Sequence, residues 1–197
     1  MRIIIITGTP GTGKTSISKL ISKKLNAKFI SLNKLIISKN FIEEYDEERQ
    51  TYVADFIKLK KYLKKLIKDA RQEDKKFCII EGHFADIVPK KYIDLAIILR
   101  CHPDPLKQRL KNRNYNKKKI NENIQAEILG TSTNYILQKN LKCPLYEIDT
   151  SNKTIKQISE TIIEIIQENG FIDKYKIGKI DWLGELSNQN RLNEFFD

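Results

Sequence analysis

The stretch Gly8-Thr9-Pro10-Gly11-Thr12-Gly13-Lys14-Thr15 decides how this chain is read. It matches G-x-x-x-x-G-K-[ST], and it sits between an apolar run at 2–7 and a helical pattern at 14–25, the strand-to-helix context that the pattern requires. The glycines let the backbone turn tightly and aim its N–H groups inward. There, with the helix N-terminus, they hold an anion without side chains in the way. Lys14 then reaches the β- and γ-phosphates of a nucleotide, and Thr15 ligates Mg²⁺. The pattern establishes phosphate binding but leaves the reaction open, because ATPases, GTPases and small-molecule kinases share it.

Outward from this stretch, short apolar runs at 2–7, 28–32, 77–81, 95–99 and 145–149 read as strands buried on both faces. Amphipathic helical patterns at 14–25, 55–70, 104–112, 120–140 and 154–169 alternate with them. The clearest places Phe56, Leu59, Leu63, Leu66, Ile67 and Ala70 on one face. The alternation predicts an α/β fold of three layers, a five-stranded and mostly parallel sheet with helices on both sides. Asp104 followed by Pro105 predicts a helix start, and Gly170 the last helix stop. The chain fits one domain over 1–170. The extension 171–197 carries Trp182, Leu183, Leu186, Leu192, Phe195 and Phe196, too many apolar groups for a disordered tail, and is expected to dock on the body or a partner.

Residues beyond the glycine-rich loop must choose the chemistry. The run 77–81 ends in Glu81, a carboxylate at the C-terminal edge of an apolar strand, the edge where open α/β sheets bind ligands. Glu81 is the candidate to hold Mg²⁺ or its water shell, against the plainer reading of a strand-end carboxylate. His83 follows on the loop, where it can orient a water or an acceptor oxygen or be passive. Arg109 and Arg113 lie four residues apart on one helix face that runs into Lys117-Lys118-Lys119. They suit a basic lid over a nucleotide, or a solvated surface. Asn33-Lys34-Leu35-Ile36 lacks the carboxylate that reads guanine, which favours adenine.

Lys and Arg number 36 against 25 Asp and Glu, for a net charge of +11. Such a surface attracts phosphate-rich partners, nucleotides or RNA, although lysine-rich helix faces are also ordinary solvated surface. Cys78, Cys101 and Cys143 are scattered without ligand spacing, arguing for reduced thiols rather than disulfides or zinc. No apolar run approaches the length of a membrane span, so a cytoplasmic protein is expected.

The glycine-rich loop, the acidic EEYDEER at 43–49, Glu81-Gly82-His83, and Leu99-Arg100-Cys101 with RLKNRNY after it together resemble the adenylate kinase isoenzyme 6 family, from about residue 1 to 169. The resemblance implies transfer of phosphoryl from ATP to AMP with Mg²⁺, together with ATPase activity. It also implies a role in maturing the small ribosomal subunit through a ribosomal protein and rRNA. It further implies an NMP-binding segment at about 31–54 and a lid at about 112–122. Gly11, Gly13, Lys14, Thr15 and Ser16 would hold ATP phosphates, Arg113 would contact ATP from the lid, and Arg109 would lie near the adenine. Lys14, Glu81, His83 and Arg113 are thus the candidate catalytic residues, and Thr15 and Glu81 the candidate metal ligands. Two positions depart from the pattern of many relatives. Glu81-Gly82-His83 stands where they show Asp-x-His, and Arg113-Asn114-Tyr115 where they show Arg-Gly-Tyr, which bears on lid closure. The competing readings are an ATP-driven assembly factor with water as acceptor, and a kinase of a non-nucleotide metabolite.

Overall fold

Ile3 to Ile6 are four β-branched residues in a row, and successive side chains on a strand point to opposite faces. Strand β1 (Arg2–Gly8) therefore seeds two cores at once. In the computed structural model, which describes residues 1–47, 51–168 and 172–196, all four are fully buried. Ile3 and Ile5 pack with Leu63, Ile67 and Ile136 on one side. Ile4 and Ile6 pack with Ile17, Ile21, Ile158 and Ile162 on the other.

Around β1 stand β2 (Lys28–Ser31), β5 (Phe77–Glu81), β6 (Leu95–Arg100) and β7 (Leu145–Asp149), in the order β2-β5-β1-β6-β7. Every pairing in this sheet is parallel, as five two-side-buried runs require. Helices α1 (Lys14–Lys24) and α7 (Ile155–Gln167) cover one face; α3 (Phe56–Ala70) and α6 (Thr131–Gln138) cover the other. The result is a three-layer α/β fold. Helix α7 opens with a reciprocal capping box between Thr154 and Gln157.

Several boundaries differ from the sequence reading. The pattern at 120–140 is two helices, α5 (Lys117–Ile128) and α6, because Gly130 takes φ +63° and turns the chain between them. Helix α4 (Pro103–Lys111) begins with His102 as its N-cap, whose Nδ1 accepts from the Asp104 amide at 3.3 Å. Asp104 is not the cap: Pro103 already supplies the preset first turn, and the Asp104 carboxylate is engaged by Arg191. Phe56 is largely exposed and packs edge-on against Phe84 instead of joining the core. Helix α2 (Leu32–Ser38) and an antiparallel pair, β3 (Ile42–Asp46) with β4 (Thr51–Ala54), had no reading as elements. The stop expected at Gly170 lies outside the described residues.

The C-terminal residues bridge to β7 through Lys176 and Tyr146, then form α8 (Trp182–Asn188) and α9 (Asn193–Phe196). Leu186 and Phe195 are buried with Leu106 and Leu110 of α4 and Ile120, Ile124 and Ile128 of α5.

Candidate active site

The parallel sheet brings the C-terminal ends of β1, β5 and β2 to one edge, and the loop after β1 wraps there. Gly8, Gly11 and Gly13 have φ of +140°, +100° and +95°, values closed to residues with a side chain. Tight packing closes them further. A Cβ on Gly8 would sit 2.3 Å from the Leu99 carbonyl oxygen, and one on Gly11 would sit 2.6 Å from Leu106 Cδ1. Thr12 Oγ1 and Lys14 Nζ both donate to the Thr9 carbonyl at 2.9 Å, folding the loop over the N-terminus of α1. Burial lowers the Lys14 pKa to about 8. Glu81 and Glu127 work against that shift, and Arg113 adds to it.

Glu81 is buried at the end of β5, where it pairs with Ile6 of β1 on one side and Ser31 of β2 on the other. Its carboxylate accepts from Ser31 Oγ at 2.5 Å and from Thr15 Oγ1, which is 3.2 Å from each carboxylate oxygen. Thr15 and Glu81 thus present hard oxygen donors side by side beside the phosphate loop. That set fits Mg²⁺, which the two residues would hold beside the phosphates of a bound nucleotide. His83 lies two residues on, against the Phe84 ring, and the Thr7 hydroxyl donates to its carbonyl at 3.4 Å. Burial and then the charge of Lys14 push the His83 pKa down to about 4, so its imidazole is neutral at pH 7.

Lys14, Thr15, His83 and Arg113 line one cavity of about 400 Å³ with Gly11 and Gly13. Ser16 and Arg109 are not on it. They line a second cavity of about 450 Å³ that shares Gly11, Gly13 and Arg113 with the first and is completed by Thr150, Lys153 and Ile158. Arg109 donates to the Thr150 carbonyl at 2.6 Å and the Ser151 carbonyl at 3.0 Å, tying α4 to the loop after β7. The segment 112–122 is a short turn followed by α5. Asn114 in it takes φ +57°, the conformation for which glycine is the usual choice.

Sequence reasoning gave Ser31 and Asn33 no role beyond lying in the expected NMP-binding segment, and it missed Thr131, Ser132 and Tyr135, which line the first cavity with Asn33. Gly130 was the available signal for the last three, since it ends α5 and turns α6 toward the site. It also missed a buried ionic cluster. Arg100 Nε donates to Glu127 Oε1 at 2.7 Å and its Nη1 to Glu147 Oε1 at 2.7 Å. The cluster takes in Thr133 and the amides of Cys101 and Gly178. Desolvation opposes the Arg100 charge, but the two carboxylates outweigh it and raise its pKa.

Residues 4–130 match the AAA domain family. A protein of Methanocaldococcus jannaschii named "Putative adenylate kinase" is 39% identical over 179 residues, covering 91% of this chain and 92% of its own. A protein of the same name from Methanosarcina acetivorans is 36% identical over 192 residues, covering 93% and 99%. Among solved structures, shikimate kinase from Bacteroides thetaiotaomicron superposes with a TM-score of 0.53 at 17% identity, over 85% of this chain and 99% of that one. Deoxyadenosine kinase from M. mycoides with bound dATP gives 0.52 at 18%, over 84% and 100%. At such identities these two likenesses concern the fold alone, the three-layer P-loop fold. The family match and the sequence relatives, which span nearly the whole chain, establish that it belongs to the adenylate kinase-like family of P-loop kinases.

Proposed function

We propose that the protein transfers the terminal phosphoryl group of Mg-ATP to AMP, yielding two ADP. The observation that carries this reading is the convergence of Lys14, Thr15, His83 and Arg113 on one cavity floored by the glycine-rich loop. An AMP phosphate oxygen attacks the γ-phosphorus in line, a new P–O bond forms to AMP, and the bond to the β,γ-bridging oxygen breaks, leaving ADP. Lys14 and the loop amides neutralise charge on the β- and γ-phosphates, and Arg113 stabilises the migrating group. When bound with ATP, Mg²⁺ supplies further neutralisation of those oxygens, with Thr15 and Glu81 as its protein donors. Gly11, Gly13 and Ser16 hold phosphates, and the second cavity, beside Arg109, receives the adenosine of ATP. The names of the archaeal relatives support adenylate as the acceptor.

A second reading has water as the acceptor, in an ATPase that serves assembly of the small ribosomal subunit. The neutral imidazole of His83 on the cavity wall favours it, because it offers one N–H and one bare nitrogen with which to orient a water. Measuring ADP formed from ATP with and without AMP separates the two. Formation that depends on AMP supports the kinase; phosphate release that needs no AMP and disappears in His83→Ala supports the ATPase. Lys14→Ala is expected to lower kcat about 10²–10³-fold in either case. Full turnover in that variant overturns both.

A further inference from the structure

We propose that the C-terminal strap, residues 181–196, positions the ATP side of the site, with Arg191 and Phe195 as positioning residues that act through α4. The inference rests on the reading above that ATP occupies the loop and the cavity beside Arg109. On its outer side α4 is gripped by the strap. Arg191 holds both Asp104 carboxylate oxygens, at 3.1 and 2.9 Å, and Glu194 steadies the guanidinium at 2.7 Å. Phe195 and Leu186 bury against Leu106 and Leu110, and the Phe195 carbonyl accepts from Gln125 of α5 at 2.8 Å. Trp182 stands edge-on to His102, the N-cap of α4, with ring centres 5.1 Å apart.

On its inner side the same helix serves the nucleotide. Leu106 and Leu110, the residues under Phe195, fill the space where a Gly11 side chain would be, so they press directly on the phosphate loop. Arg109 leaves α4 one turn further on at the second cavity, and Arg113, in the turn just past the end of α4 and not on its face, lines both cavities. The His102 amide donates to Ser151 Oγ at 2.7 Å, and the Ser151 carbonyl accepts from Arg109. Strap, α4 and loop therefore form one continuous stack, whereas Ser31 and Asn33, toward the proposed AMP side, lie on β2 and α2. Loosening the strap should displace the ATP groups and spare the AMP groups.

The test uses the full chain with Arg191→Met, Phe195→Ala and the conservative Phe195→Leu. The expected result is a KM for ATP raised about fivefold or more in the first two, with KM for AMP within about twofold of the parent, and recovery in Phe195→Leu. Michaelis constants that stay unchanged, or that rise together, overturn the proposal. Trp182, the single tryptophan of the chain, gives a second measurement that needs no variant. Titration of Mg-ATP should change its emission with the midpoint found by calorimetry. Calorimetric binding with flat emission removes the strap proposal and leaves the ATP site standing. No heat of binding at millimolar Mg-ATP removes both.

Discussion

Among the described residues, Ser31 Oγ and Thr15 Oγ1 are the side-chain donors on the Glu81 carboxylate, at 2.5 and 3.2 Å. Together they hold its orientation. Glu81 was legible in the sequence because a carboxylate closing an apolar strand falls at the ligand-binding edge of any parallel sheet. Ser31 also closes a strand, but its importance depends on β2 lying beside β5, and strand order is not written in local periodicity. A residue that orients a functional carboxylate without touching substrate is expected to matter through geometry. Ser31→Ala should therefore lower kcat about tenfold while leaving urea unfolding within about 1 kcal/mol of the parent. Unchanged kcat would show that Thr15 alone suffices to orient Glu81.

Among the described residues, every non-glycine with φ in the left-handed region is asparagine: Asn26, Asn40, Asn114, Asn140 and Asn190. Each follows a helix, and four of them close it with a recurrent bond. The amides of Ala27, Phe41, Tyr115 and Arg191 reach back to the carbonyls of Ser22, Ile36, Leu110 and Leu186. This is the Schellman ending with asparagine in the glycine position, in a chain with only 8 glycines. It accounts for Asn114, since asparagine is the side chain that best tolerates this backbone. The five main strands and most helices were legible because their periods of 2 and 3.6 are local. Helix α2 and the β3–β4 pair were not, because Leu32–Ser38 spans only two turns and the acidic strand Ile42–Asp46 is held by its partner rather than by a buried face. Asn40→Val should lose about 1–2 kcal/mol in urea unfolding, whereas Asn40→Gly should be at least as stable as the parent. Equal stability of the valine variant would mean that the α2 ending is not held in this conformation in solution.

At the scale of the molecule, two charged assemblies join segments far apart in sequence, and neither could be read from spacing. The exposed one is Asp104 with Arg191. The Arg191 hydrogen bond holds the Asp104 pKa below its ordinary value of 3.8. A depressed carboxylate contributes stability above the unfolded pKa and loses it as pH falls through the folded one. The strap should accordingly stay seated at pH 5 and loosen below about pH 3.8, seen as a change in Trp182 emission that Asp104→Asn abolishes. The buried assembly is Arg100 between Glu127 and Glu147, which joins β6, β7, α5 and, through the Gly178 amide, the chain beyond α7. It sets one cation between two carboxylates in a region where water cannot screen them. Removing the cation leaves both carboxylates uncompensated, so Arg100→Met should cost about 3–5 kcal/mol in urea unfolding. Adding Glu127→Gln and Glu147→Gln should restore part of that loss, because the amide oxygens still accept from Cys101 and Gly178 while the buried charge is gone. A triple variant less stable than Arg100→Met would show that the carboxylates are held by their hydrogen bonds rather than by the guanidinium.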